Sequence, residues 1–274
     1  MDVKLGICNF CVPGGGAFAP ETVKRYGLDG MSIEFGPWQQ GNPLSMTELQ
    51  DLYLDAQQRY MIEYPNIGVS DGDTLPFHAR RGSWEDELFD RIGKGAIGAA
   101  SRMGIGLVFF ANFGPSLIRT EEDLINTVRR YRYFCDLAGE KGINIACENP
   151  NTVEEQKVLI EMVDRSNFSL FFDTCNHHAV AGYDGLKCLR ELYPYYTSQM
   201  HIKDGVPGKN ASRILGTGTS GFKDMIAVLK ENKYEGWLIL ENKYAEEEMR
   251  KINHNAFELL KEDISVLKDA VKGI

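Results

Sequence analysis

The chain has 274 residues, 43% hydrophobic and 11% aromatic, and its 30 Lys+Arg against 39 Asp+Glu leave a formal charge of −9. That is apolar material for one large core or two modest ones, and too little charge for disorder. The acid surplus disfavours a nucleic acid partner, which is held by a basic surface, and no run approaches the roughly 20 apolar residues that cross a bilayer, so no membrane partner is expected.

In chain order, the start MDVKLGICNF lacks the basic and long apolar regions of a leader. Eight short apolar runs follow one another: Val3 to Cys8, Met31 to Phe35, Asn66 to Ser70, Ile105 to Ala111, Ile143 to Glu148, Phe168 to Asp173, Gln199 to Lys203 and Trp237 to Glu241. Helical stretches separate them. Hydroxyl-to-carboxylate spacings at Ser45–Glu48, Ser83–Asp86, Thr120–Asp123 and Thr152–Glu155 predict four helix starts as capping boxes. Gly104, Gly142 and Gly236 each stand just before a strand, where a left-handed helix stop is needed. Strands alternating with helices at this spacing predict an α/β chain folded as a single (β/α)8 TIM barrel over residues 1–274. A doubly wound sheet would need G-x-G-x-x-G after its first strand, whereas Val12-Pro-Gly-Gly-Gly-Ala-Phe stands there.

The six cysteines are too sparse for a disulfide scaffold, which fits a reducing cytoplasm. Cys8-Asn-Phe-Cys11 has no second pair at zinc-site distance and reads as two reduced thiols. The overall expectation is an unprocessed cytoplasmic protein, as monomer or homo-oligomer.

A TIM barrel carries its chemistry at the C-terminal ends of its strands. Four consecutive runs close on groups able to bind a metal: Glu148, Asp173, His201 and Glu241. Carboxylates at the inner end of apolar strands suffer desolvation and mutual repulsion, and a divalent cation relieves both. Three oxygens and one imidazole suit Mn²⁺, Mg²⁺, Co²⁺ or Zn²⁺. Taken singly, each acid is as well explained by a cap or a salt bridge; the set of four is what points to a metal.

These strand ends, with Leu215-Gly-Thr-Gly218 and Tyr234-Glu-Gly-Trp-Leu-Ile-Leu-Glu241, resemble the xylose-isomerase-like TIM-barrel superfamily in its sugar phosphate isomerase/epimerase branch. The resemblance implies that Glu148, Asp173, His201 and Glu241 bind one divalent metal, and that Glu148 and Glu241 are also the catalytic acid and base. Such a cation stabilises the enediolate formed when a proton leaves the carbon next to a carbonyl. Two glutamates on opposite faces of that carbon permit epimerisation; aldose–ketose isomerisation can use one face. The partner so implied is a small sugar or keto-polyol.

Lys203 shares the His201 strand face and is a candidate for a substrate oxygen, its alternative being an ion pair with Asp204 or Glu241. Glu154 matches a substrate contact of the ketose 3-epimerases; its alternative is a first-turn carboxylate favoured by the helix dipole. Those enzymes usually place a histidine three residues after the strand-six aspartate and an arginine six after the strand-seven histidine. Here Asn176, followed by His177, and Pro207, with Arg213 as the nearest arginine, stand instead. These departures weaken a ketohexose 3-epimerase assignment and leave Asn176, His177 and Arg213 as substrate-binding candidates.

Gly216-Thr-Gly-Thr-Ser-Gly221 opens a helix, a placement that suits a phosphate, although relatives acting on unphosphorylated sugars carry similar loops. Phe10, Phe35, Trp38, Phe110 and Phe113 near strand ends are candidates for an apolar pocket wall. An inosose-type dehydratase, in which the enediolate expels a β-hydroxyl, is the competing lyase reading. An apurinic-site endonuclease of the same fold would need further histidines and an acid where Asn176 and Gln199 stand.

Overall fold

The structure is a computed structural model that describes residues 1–272. In chain order it contains β1 (Val3–Cys8), α1 (Ala19–Arg25), β2 (Gly30–Glu34), α2 (Thr47–Tyr60), β3 (Ile67–Val69), α3 (Trp84–Met103), β4 (Leu107–Ala111), α4 (Glu121–Gly139), β5 (Asn144–Glu148), α5 (Val153–Val163), β6 (Phe168–Asp173), α6 (Gly185–Leu192), β7 (Tyr196–Ile202), β8 (Asp204–Val206), β9 (Lys209–Arg213), α7 (Phe222–Glu231), β10 (Gly236–Leu240), α8 (Glu247–Arg250) and α9 (Ala256–Lys272). Among the described residues, eight strands close into the expected barrel in the order β1-β10-β7-β6-β5-β4-β3-β2, and β8 pairs only with β9. No helix among these residues is long and apolar enough to cross a membrane.

The expected capping boxes form in full at Thr120/Asp123 and Thr152/Glu155. At α3 half the box forms: the Ser83 hydroxyl accepts from the Asp86 N–H, but the Asp86 carboxylate accepts from Gly82 and two arginines instead. The expected start at Ser45 is displaced. Pro43 opens a single 3₁₀ turn over Pro43–Ser45, the Ser45 hydroxyl bonds the Gly41 carbonyl, and α2 begins at Thr47. Gly104 and Gly142 take the left-handed stop at φ 69° and 68°. Gly236 does not. Lys233 holds the left-handed position after α7 at φ 51°, while Gly236 opens β10 at φ 138°, where a Cβ would collide with the Ser198 carbonyl.

The β8–β9 hairpin was not anticipated, although its signal is present. Pro207 presets one turn dihedral and Gly208 supplies φ 76° at the next position. Pro207 therefore belongs to a turn.

The chain divides into two compact units, with cuts inside β2, α2 and β6 and one after Glu63. The first comprises Met1–Ser32, Ala56–Glu63 and the residues from Phe172 onward. In it β1 pairs with β10 through Ile7↔Leu240 and with β2 through Ile7↔Met31, and β10 pairs with β7 through Ile239↔His201. The second comprises Ile33–Asp55 and Tyr64–Phe171. Its strands pair through Gly68↔Phe109, Ala111↔Glu148 and Cys147↔Leu170.

Within the second unit, strands buried on both sides alternate between two apolar layers. Phe109 and Phe171 stack at 4.4 Å, and a side chain at Gly68 would meet the Phe109 ring at 2.7 Å. On the alternate positions, Phe110 packs with Phe77, Tyr131 and Phe134, whose α4 residues place this cluster against the helices. Buried Arg130 caps the cluster, donating to Asp86, Asp90 and the Phe77 carbonyl. Phe110 thus belongs to helix packing instead of a pocket wall. The same holds for Phe35, whose ring fills the space above Gly95 of α3. Trp38 and Phe113 are half-buried, and Phe10 is exposed.

Candidate active site

In the first unit, β6 ends on Asp173, β7 carries His201 on its last turn of alternation, and Lys203 and Glu241 lie one residue past β7 and β10. Period-two geometry turns His201 and Lys203 to the same face. Asp173, His201 and Lys203 are buried, and Glu241 is mostly so. The Lys203 Nζ sits 2.5 Å from Glu241 Oε2 and 3.2 Å from Asp173 Oδ2. Glu241 Oε2 lies 3.2 Å from His201 Nδ1. Both halves of the paired alternative for Lys203 are informative: Glu241 is its partner, and Asp204 is not.

Burial alone would raise the Glu241 carboxyl, but the Lys203 ammonium and then His201 outweigh it and hold the group well below the ordinary carboxylate range. The other Asp173 oxygen, Oδ1, accepts from the Cys175 and Asn176 backbone N–H groups at 2.8 and 2.7 Å. Thr174 fastens the neighbouring strand end: its hydroxyl donates to the Lys203 carbonyl at 2.7 Å and accepts the Lys203 N–H at 2.9 Å.

Glu148, the last residue of β5, is buried. Asp173, His201 and Glu241, all of the first unit, bring one ligand atom each within 4.8 Å of one another. The donor set fits a divalent ion. Two carboxylates and an imidazole that converge beside one ammonium, away from water, are donors of the kind a divalent ion takes.

The remaining candidates lie apart from this set or are turned to other partners. The Asn176 side chain accepts from Asn210 Nδ2 at 2.7 Å. His177 is buried and stacks on Phe172 at 6.0 Å between centroids. The Arg213 guanidinium donates to the Ser212 carbonyl at 2.7 Å. Glu154 is exposed in the first turn of α5, the position the helix dipole favours for an acid.

The glycine-rich loop is filled from within. The Asp204 carboxylate accepts from the backbone N–H of Gly205, Gly216 and Gly218 at 2.8, 2.9 and 2.9 Å and from the Ser220 hydroxyl at 2.6 Å. A Cβ at Gly218 would collide with that carboxylate. The amides that suit a phosphate are therefore committed to an internal anion. Cys8 is a free thiol, as expected, and its Sγ lies 3.4 Å from His201 Nε2, both residues being buried. The signal for this contact is its place at the end of the first apolar run, the same rule that picks out the four candidate ligands.

A family model for the xylose isomerase-like TIM barrel matches residues 20–270. The chain belongs to this family. Among xylose isomerase-like TIM barrels it is 25% identical over 255 residues to a 2-epi-5-epi-valiolone 7-phosphate 2-epimerase of Actinoplanes sp., spanning 89% of this chain and 88% of the relative. It is 29% identical over 151 residues to an inosose dehydratase of Clostridium tetani, spanning 47% of this chain and half of the dehydratase. A D-allulose 3-epimerase from Methylomonas sp. has the same fold, with a TM-score of 0.75, 20% identity and 98% of each chain covered. The relatives of this family member thus include both a sugar-type epimerase and an inosose dehydratase.

Proposed function

We propose that the protein is a divalent-metal-dependent isomerase or epimerase of a small sugar or keto-polyol, acting at the carbon next to a carbonyl. The observation that carries this reading is the set Asp173, His201 and Glu241 of the first unit, one ligand atom from each within 4.8 Å and Lys203 between the two carboxylates; Glu148, which ends β5, is proposed as the fourth ligand from its strand-end position. Those four residues would hold the ion. When bound, it would supply electrophilic stabilisation of the charge that develops on the substrate carbonyl oxygen. Glu148 and Glu241 move the proton, one taking it from carbon and the other returning it. Lys203 keeps Glu241 ionised, and its ammonium would donate to a substrate oxygen. Thr174 fixes the Lys203 backbone, so the ammonium is delivered from a braced strand end.

Epimerase is favoured over dehydratase because the epimerase relative matches along nearly the whole chain and the dehydratase along about half. The test is proton exchange in D₂O, followed by NMR with a panel of ketoses and inososes, after metal analysis of the purified protein. Exchange of a carbon-bound proton next to the carbonyl is expected on loading with Mn²⁺, Mg²⁺, Co²⁺ or Zn²⁺. Glu148→Gln and Glu241→Gln should each slow it at least about 100-fold. An epimer or isomer as product supports the reading, and a dehydrated product transfers it to the lyase. A protein that holds no metal and exchanges nothing after metal addition overturns it.

A further inference from the structure

Cys8 is outside the proposed ligand set, yet it closes β1 on the same rim as the other strand-end groups of its unit. Its register partners fix it tightly: Ile7 lies opposite Leu240 of β10, and Cys8 opposite Ser32 of β2. The sulfur lies 3.4 Å from His201 Nε2, and the carboxylate of Glu241 lies 3.2 Å from His201 Nδ1. The two nitrogens of an imidazole face away from one another, so a single ion cannot meet both. His201 Nδ1, the nitrogen beside Glu241, would hold an ion shared with that carboxylate, and Nε2 would then carry its hydrogen toward the sulfur.

We infer that Cys8 is a positioning residue for the metal site: its sulfur accepts the Nε2–H of His201, fixes the tautomer with a bare Nδ1, and sets the ring plane so that Nδ1 faces Glu241. A ligating histidine generally has its distal N–H held by an oxygen acceptor. A thiol is a weaker acceptor, but this one is held in a water-excluded position by two strand pairings. Cys8, His201 and Glu241 also bring one ligand atom each within 4.8 Å, which is the geometry of a thiolate-ligated alternative. The sulfur's place against the nitrogen that Glu241 does not approach argues for the orienting role. The inference rests on the metal reading proposed above.

The experiment is a Co²⁺ titration of the wild type, Cys8→Ala and Cys8→Ser, followed by visible absorption and calorimetry, with circular dichroism to confirm folding. Cys8→Ala should bind the same number of equivalents with a Kd raised about 10- to 100-fold, and Cys8→Ser should fall between the two. No sulfur-to-cobalt charge-transfer band should appear in any of the three. Long-range ¹H–¹⁵N NMR of the Zn²⁺-loaded wild type should show His201 protonated on Nε2, a readout that needs no variant to fold. Wild-type binding with an unchanged Kd in Cys8→Ala, or a charge-transfer band that the alanine variant loses, overturns the inference alone. A wild type that takes up no cobalt overturns the metal reading and this inference with it.

Discussion

Lys203 is the residue on which the electrostatics of the site turn. Its ammonium lies between Asp173 and Glu241 in a buried setting, so deleting it removes the cation that both carboxylates share. Breaking a buried pair from one side costs about 3–5 kcal/mol. Lys203→Met should therefore destabilise the metal-free protein by roughly that amount. Saturating Mn²⁺ should recover most of it, read as a larger metal-induced rise in Tm than the wild type shows; equal rises would count against a shared cation site. The carboxylates and His201 were legible because they end apolar strands, where an unneutralised acid is costly. Lys203 was legible as a candidate but its partners were not, since Asp173 and Glu241 come 30 residues before and 38 after it, joined only by the closed sheet. Cys8 escaped for a different reason: a reduced thiol carries no sequence mark of its partner, and His201 comes 193 residues later.

At the scale of the element, helix starts carry local information and were read well where the box is purely local. Thr152 and Glu155 satisfy one another's orphan groups, with the Thr152 N–H to Glu155 Oε2 at 2.9 Å and the return bond to Thr152 Oγ1 at 3.3 Å. Thr152→Ala should cost about 1 kcal/mol in urea unfolding, with an unchanged dependence on denaturant. Where a neighbour intrudes, local reading fails. Arg129 and Arg130 draw Asp86 away from its box, and Pro43 moves the start of α2 past Ser45. Gly236 shows the same limit, because the contact that demands glycine is with the Ser198 carbonyl of another strand.

At the scale of the whole molecule, continuous apolar runs flanked by helices are the mark of strands covered on both faces, which is why the barrel was legible from patterning alone. What patterning does not carry is the polar scaffold at the strand ends. Asp263 on α9 receives the Leu215 N–H, Asn242 Nδ2 and the Tyr244 hydroxyl at 2.8, 2.7 and 2.9 Å, tying the C-terminal helix to the loops after β9 and β10. Burial raises its carboxyl to about 6, against hydrogen bonds that lower it. Between pH ~4, where the unfolded chain releases this proton, and pH ~6 the folded protein still holds it. Stability from this group is thus full below that window and falls as pH rises through it, by up to about 3 kcal/mol at 1.4 kcal/mol per unit. Unfolding free energies measured from pH 4 to 7 should decline less steeply for Asp263→Asn than for wild type; parallel curves would refute the assignment.

Asp204 has a consequence of another kind. By lodging a carboxylate among the amides of residues 216–220, the chain carries its own guest in a receptor that elsewhere greets a phosphate. These bonds stand before any substrate arrives, and an incoming anion would find both its donors spoken for and a like charge in residence. Discrimination at this edge of the molecule is accordingly a matter of prior occupancy.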